Sequence, residues 1–312
     1  MIDIFTHEFF SFLLFVLLAI FLLAGYPVSL TLAGTAIIVA LLGYAADLFP
    51  VVLLNVLPNR VFGLVTNETL IAVPLFIFMG VMLEKSGVAV ALLENMSKIW
   101  GEIRGGLVYS VLIVGLLMAA STGIVGATVV TMGILSLPLM LKWNYNKKMS
   151  AGIICASGTL GQIIPPSIVL VLLADIFQGA NEQASQISGN LAPTPVSSVD
   201  LFAGAIIPGM LLVILYGIWI LINSILKPGN FPVQKENKDK VILRDLLGTI
   251  FPPIALIMLV LGSILFGIAT PTESASLGAL GSINIAMKNK LKMEIFKSAC
   301  IETLKINSMV FF

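Results

Sequence analysis

The chain predicts an all-α, polytopic membrane fold of the ion-transporter-like kind, with a re-entrant hairpin and discontinuous helices. Of 312 residues, 58% are hydrophobic and 11% charged, and mean hydropathy is +1.07; a soluble domain is nearer about 45–50% apolar and about 25% charged. Apolar runs of membrane-spanning length recur along the whole chain. Two of these runs carry small, polar and helix-breaking residues in mid-span, at 120–128 and 158–167. Loose backbone at membrane depth is tolerated only where it lines a protein-enclosed cavity. The interruptions therefore point to halves of an ion and substrate site of the kind secondary transporters build.

The same composition excludes other classes. A net charge of +1 implies no nucleic acid and no other bulk polyelectrolyte. The 27 glycines and 15 prolines suit membrane helices that pack closely and bend. Cys155 and Cys300 lie in apolar surroundings, so neither a disulfide nor a metal site is expected. Residues 1–8 hold Asp3, His7 and Glu8 but no Lys or Arg, a poor signal-peptide start that also suits a non-cytoplasmic N-terminus.

Residues 9–24 and 28–43 read as spans joined by the tight turn Gly25-Tyr26-Pro27. Residues 45–63 read as a longer connection with Asp47, Pro50, Pro58 and Arg60, and 64–83 as a third span bent at Pro74. Residues 84–104 are amphipathic. Val88, Leu92, Leu93, Met96 and Ile99–Trp100 recur at helical spacing with Lys85, Glu94, Lys98, Glu102 and Arg104 between them. This suits a helix lying along the interface, with an ordinary loop helix as the alternative. Residues 105–140 are apolar around a Ser121-Thr122-Gly123 centre, and 150–177 are too long for one straight crossing unless Pro165-Pro166 breaks them.

Residues 178–200 are polar without Lys or Arg, whereas 227–244 carry Lys227, Lys235, Lys238, Lys240 and Arg244. By the positive-inside rule the first loop is external and 227–248 cytoplasmic, with 201–226 crossing between them. Residues 246–268 return outward, 270–287 are apolar, 288–297 are basic, and 301–312 begin another apolar segment. Working back, 84–104 and 141–149 lie inside, so 105–140 is a hairpin. A basic amphipathic stretch before apolar sequence occurs at 84–140 and again at 288–312, hinting at an inverted repeat. Such repeats place the two arms on opposite faces, whereas charge places both inside. The resulting parts are 1–104 (scaffold helices and interfacial arm), 105–177 (first hairpin and broken helix), 178–248 (external loop, span and cytoplasmic loop) and 249–312 (start of a second repeat).

Three motifs carry the candidate chemistry. Proline lacks an N–H and clashes with the carbonyl four residues back, so Pro165 and Pro166 free the carbonyls of Gly161 and Gln162. Ile164, preceding a proline, is pushed out of the α region. Ser167 begins the next half-helix, whose N-terminal dipole suits a substrate carboxylate. A mere proline kink is the alternative. Ser121-Thr122-Gly123, with Gly126 and Thr128, offers hydroxyl and carbonyl oxygens to a hard cation such as sodium; small-residue packing is the alternative. Thr270-Pro271-Thr272-Glu273 reads as a capping box, yet an ionisable residue among apolar spans is also a functional candidate.

Taken in order, these motifs resemble the large membrane subunit of tripartite ATP-independent periplasmic (TRAP) transporters, the C4-dicarboxylate permease type. The matching stretches are Ala72-Val73-Pro74-Leu75-Phe76-Ile77-Phe78-Met79-Gly80, Arg104-Gly105-Gly106-Leu107 and Ala120–Thr128. They continue with Gly161-Gln162-Ile163-Ile164-Pro165-Pro166-Ser167, Ile207-Pro208-Gly209 and Ala269-Thr270-Pro271-Thr272-Glu273-Ser274-Ala275. The resemblance implies a sodium-driven importer of the elevator type in the bacterial inner membrane. A periplasmic binding protein delivers an organic acid, a small membrane subunit joins the large one, and Na+ is the coupling ion with no other cofactor. It carries sodium binding to Ser121, Thr122, Gly123, Gly161, Ile164 and Pro166, and leaves Ser167, Thr270, Thr272 and Glu273 as substrate or second-site candidates. Two departures bear on the ligands. Many relatives have Ser-Gly-Ser at the tip, and Gln162 stands where many have proline. The resemblance also implies a second hairpin and broken helix, so the chain is expected to be truncated at its C-terminal end.

An enzyme is not expected: His7 lies outside the spans, and neither a Gly-x-Ser-x-Gly nor a phosphate-binding Gly-x-x-x-x-Gly-Lys-Ser/Thr pattern occurs. A channel or a non-transporting scaffold subunit is the remaining alternative.

Overall fold

The computed structural model describes residues 2–100, 103–189, 194–233, 243–289 and 291–311, and every regular element among them is helical. Residues up to 67 form one compact unit and residues 68–311 a second.

The first unit holds α1 (Ile2–Leu23), α2 (Val28–Ala45), a 3-10 turn at Val51–Asn55 and α3 (Val56–Val65). Phe21 and Tyr26 meet edge to face at the α1–α2 turn, 6.0 Å apart. The buried hydroxyls of α2 bond back to their own helix, Thr31 to the Pro27 carbonyl at 2.9 Å and Thr35 to the Thr31 carbonyl at 2.6 Å. Polar atoms are thus satisfied inside an apolar helix without an outside partner. The expected connection at 45–63 is largely helical. Pro58 falls in the first turn of α3, where its missing N–H removes no hydrogen bond. The expected third span, 64–83, is also displaced. α3 is capped by Thr66, whose hydroxyl bonds the Phe62 carbonyl at 2.8 Å, and helix resumes only after a 3-10 turn at Glu68–Ile71. Pro74 is the third residue of the next helix, so it starts that helix and does not bend it.

The second unit is built around α4 (Ala72–Lys85). Ala72, Val73, Ile77, Met79 and Met82 of α4 are wholly buried. α5 (Val88–Trp100) follows. It turns Val88, Ala89, Leu92 and Leu93 into the core, and its end is held by Trp100 stacked on Tyr109 at 5.8 Å. Its apolar face thus packs on protein, with Ile99 left exposed. α6 (Gly106–Thr122) and α7 (Val125–Lys142) form the hairpin. α8 (Lys147–Thr159), a 3-10 turn at Leu160–Gln162 and α9 (Ile168–Ser188) make the broken helix. α9 continues to Ser188, so half of the expected polar loop at 178–200 is helix, ended by Gly189 at φ +70°.

α10 (Ser198–Leu226) has 29 residues, about 43 Å at 1.5 Å per residue, enough to cross a bilayer with tilt. Ile207 and Ile225 are 77% and 69% exposed, so the apolar surface of α10 there is not covered by the rest of the described residues. α11 (Leu243–Leu265), α12 (Pro271–Lys288) and α13 (Met293–Phe311) complete the unit. The basic and apolar stretches expected separately at 288–297 and 301–312 lie largely in one continuous helix, α13, because no proline or glycine divides them. α13 is fastened to α4 by Phe78 against Phe296 and by a 2.7 Å Lys85–Glu302 ion pair. Four helices among the described residues, Val28–Ala45, Val125–Lys142, Ser198–Leu226 and Gly248–Leu265, are long and apolar enough to cross a membrane. Lys235, Lys238, Lys240 and Glu102 lie outside the described residues.

The orientation of α10 is testable with single cysteines at exposed positions beyond its two ends, Gln183→Cys and Gly229→Cys, in a background lacking Cys155 and Cys300. An impermeant maleimide added to spheroplasts is expected to label the first and to reach the second only after permeabilisation. The opposite pattern would invert the assignment.

Candidate functional site

The hairpin tip meets the helix break inside the second unit. α6 ends at Gly123, which sits in the left-handed region at φ +61°, and Ile124 is extended at φ −129° before α7 begins. Glycine takes that conformation without a Cβ penalty. Gly123 also lies in contact range of the other partner, since a Cβ on it would stand 3.5 Å from the Pro166 carbonyl oxygen, an ordinary packing distance. On the other side the Pro165–Pro166 peptide is cis, and Ser167 caps α9 with its hydroxyl toward the Leu170 amide.

The Gln162 side chain bridges the two parts. Its Nε2 donates to the Gly123 carbonyl at 3.0 Å. Gly161 lies over α6, where a Cβ would stand 3.3 Å from the Ala119 carbonyl oxygen. Ile164 packs against Gly209 of α10, so α10 holds the break in place. α4 holds the tip: a Cβ on Gly80 would stand 2.4 Å from the Thr122 Cα and 2.8 Å from the Ser121 carbonyl oxygen.

Proton accounting fixes what the hydroxyls offer. Ser121, Thr122, Thr128 and Ser167 are all buried. Ser121 donates to the Met118 carbonyl at 2.8 Å. Thr128 donates to the Ile124 carbonyl at 2.9 Å, so in the 2.6 Å Thr122–Thr128 contact Thr122 is the donor. Ser167 donates to the Gln162 carbonyl at 2.8 Å. Each proton is committed, and what remains on these oxygens is acceptor capacity. Of the two carbonyls freed by the prolines, that of Gln162 accepts one hydrogen bond, from the serine hydroxyl. The carbonyl ends of α6 and of the 160–162 turn, and the N–H ends of α7 and α9, all meet here, which gives the region places for either sign of charge.

Ser121, Thr122, Gly123, Gly161, Ile164, Pro166 and Ser167 are thus brought into one neighbourhood. Thr270, Thr272 and Glu273 are not hydrogen-bonded to it. Glu273 accepts from the Thr270 amide at 2.8 Å and hydroxyl at 2.9 Å, a closed capping box. Thr272 donates to the Glu68 carbonyl at 3.1 Å. This group starts α12 and ties it to the turn before α4. Gly80 and the Gln162 side chain take part without having been expected as site residues. A lone polar residue between Gly161 and the apolar Ile163-Ile164 was the available signal for Gln162.

A family model described as Tripartite ATP-independent periplasmic transporter, DctM component, matches residues 15–312. The C4-dicarboxylate TRAP transporter large permease protein of Vibrio cholerae is 32% identical over 88% of this chain and 55% of its own length. The protein of the same name from Rhodobacter capsulatus is 31% identical over 88% and 60%. An isethionate TRAP transporter permease protein of Oleidesulfovibrio alaskensis is 29% identical over 95% and 43%. The chain spans about half the length of the curated relatives it matches.

The tip's seat predicts a contrast between two glycines. Gly80→Ala places its methyl against tip backbone and is expected to destabilise by about 1–3 kcal/mol. Gly152→Ala in α8 has open space and is expected to be neutral or stabilising by up to about 1 kcal/mol. Thermal melts in detergent compare them, and a Gly80→Ala protein that melts with wild type would remove the seat.

Proposed function

Because the chain belongs to the DctM component family of the tripartite ATP-independent periplasmic transporters, we propose that it forms the first hairpin and broken helix of a sodium-coupled importer. The cargo is a small organic acid, taken up across the bacterial inner membrane. The contact of the hairpin tip with the break carries this reading. Ser121, Thr122, Gly123, Gly161, Ile164 and Pro166 gather oxygens whose free capacity is for accepting, which suits a hard cation with a preference for oxygen. The N–H end of α9, beyond Ser167, supplies the complementary place for a carboxylate.

The printed names of relatives support the cargo class. Two are named for C4-dicarboxylates and one for isethionate, which share a small, polar, anionic skeleton. A periplasmic binding protein would deliver the acid, and a small membrane subunit would complete the permease. The hairpin and broken helix would move together against the remaining helices, as in an elevator. Because tip and break touch through side-chain and backbone contacts, they form a unit suited to moving as one.

Two experiments test the reading with the full-length permease and its small subunit. Uptake of labelled C4-dicarboxylates into proteoliposomes, with candidate binding proteins present, is expected to saturate and to collapse when sodium is replaced by choline at fixed membrane potential. Unchanged uptake in choline would overturn the sodium coupling. In the second, Pro165 and Pro166 are both changed to Ala, which supplies two amides and good helix formers. The protein should fold, while sodium protection against heat weakens roughly 5- to 150-fold in apparent affinity, from about 1–3 kcal/mol for a lost polar ligand. Undiminished protection would leave the prolines as a bend.

A further inference from the structure

We propose that the side-chain oxygen of Gln162 is itself a ligand of the coupling cation, so that this residue sets ion affinity at the tip–break contact. The inference rests on the sodium reading above and adds a residue to it. Gln162 Nε2 is fixed by the Gly123 carbonyl at 3.0 Å, and since a carbonyl can only accept, the amide is oriented with nitrogen toward the tip. Its Oε1 is then buried, with no hydrogen-bond partner among the described residues. A buried amide oxygen left unpaired is costly, and such an atom in a well-packed site calls for a ligand. Oε1 and Nε2 hang on one carbon, so the orphan oxygen belongs to the same amide that meets the Gly123 carbonyl. That carbonyl, with two lone pairs and one donor from Gln162, keeps capacity of its own.

The backbone of the same residue is held as firmly as its side chain. The Gln162 carbonyl accepts from Ser167 at 2.8 Å, and the following amide, Ile163, bonds the Leu160 carbonyl at 3.0 Å. Gln162 is thereby braced from both sides of the break. Its amide oxygen is presented without the cost of ordering a free side chain at the moment of binding. A cation there would be met by one side-chain oxygen together with tip and break oxygens, and affinity becomes a property that one substitution can change.

Half-maximal sodium protection against heat, in the full-length protein at pH 8, separates the outcomes. Gln162→Leu removes donor and acceptor and is expected to raise the half-maximal sodium concentration about tenfold, the scale of one lost polar ligand. Gln162→Glu keeps the acceptor and loses the donor. It is expected to stay within about threefold of wild type or to bind sodium more tightly, since a carboxylate facing a carbonyl oxygen is relieved by a cation. Equal weakening in both variants would make Gln162 a tether and overturn the ligand role, as would unchanged sodium dependence in Gln162→Leu, which would assign the oxygen to water. If Gln162→Leu fails to fold, weakening in the near-isosteric Gln162→Glu overturns the proposal by itself. Absence of sodium protection in the wild-type protein would instead remove the underlying sodium reading.

Discussion

Backbone that leaves a helix inside an apolar layer must find partners for the groups it frees, and the second unit is arranged around that requirement at residues 160–167. Two consecutive prolines withhold the amides that would continue α8. Ser167 answers for the Gln162 carbonyl, and the Gln162 side chain reaches across to the hairpin tip. The partners come from within the segment and from the tip, and the Gln162–Gly123 bond joins the two parts. The hairpin turns at Gly123 because its left-handed backbone favours glycine, and its carbonyl is the one that the Gln162 side chain reaches.

The surrounding helices supply position. α4 lies against the tip through Gly80 and against α12 through Gly278, whose Cβ would stand 2.5 Å from the Met79 sulfur. α10 lies against the break through Gly209. Small residues at these contacts let helices approach closely, which in an apolar solvent replaces much of the hydrophobic drive by van der Waals packing. The long apolar faces of α10 remain outward and exposed.

Much of this was legible in the sequence. The double proline marks the break because its effect on backbone is local, and the Thr270–Glu273 box announces itself by spacing. What misled was also local chemistry, read in the wrong place. Pro74 looked like a bend because helix starts carry weak signals, yet at the third position of α4 it is harmless. The polar run after 177 looked like a loop because polarity was equated with the end of a span, although Gln, Asn, Ala and Ser at 178–188 can extend a helix beyond the apolar layer. The Gln162 bridge was not legible, because nothing in the chain order places a side chain of the break against a carbonyl 39 residues earlier.

The sodium coupling proposed above draws on what the site lacks in titratable chemistry and what it holds in oxygens. Proton coupling needs a group whose charge changes near physiological pH, and Ser121, Thr122, Gly123, Gly161, Gln162, Ile164, Pro166 and Ser167 contain none. Their hydroxyl protons are held by carbonyls or by a neighbouring hydroxyl, so the site has oxygen lone pairs to give and no proton to exchange. Glu84 of α4, which accepts from Thr131 of α7, joins the hairpin arm to its support at a position separate from the tip. A neutral cluster of oxygens binds a monovalent cation only if the ligands are held in place beforehand, because the ion must give up its water for them. The bracing of Gln162 from both sides of the break, and of Gly123 between Gln162 and Pro166, is the kind of preorganisation such a site requires.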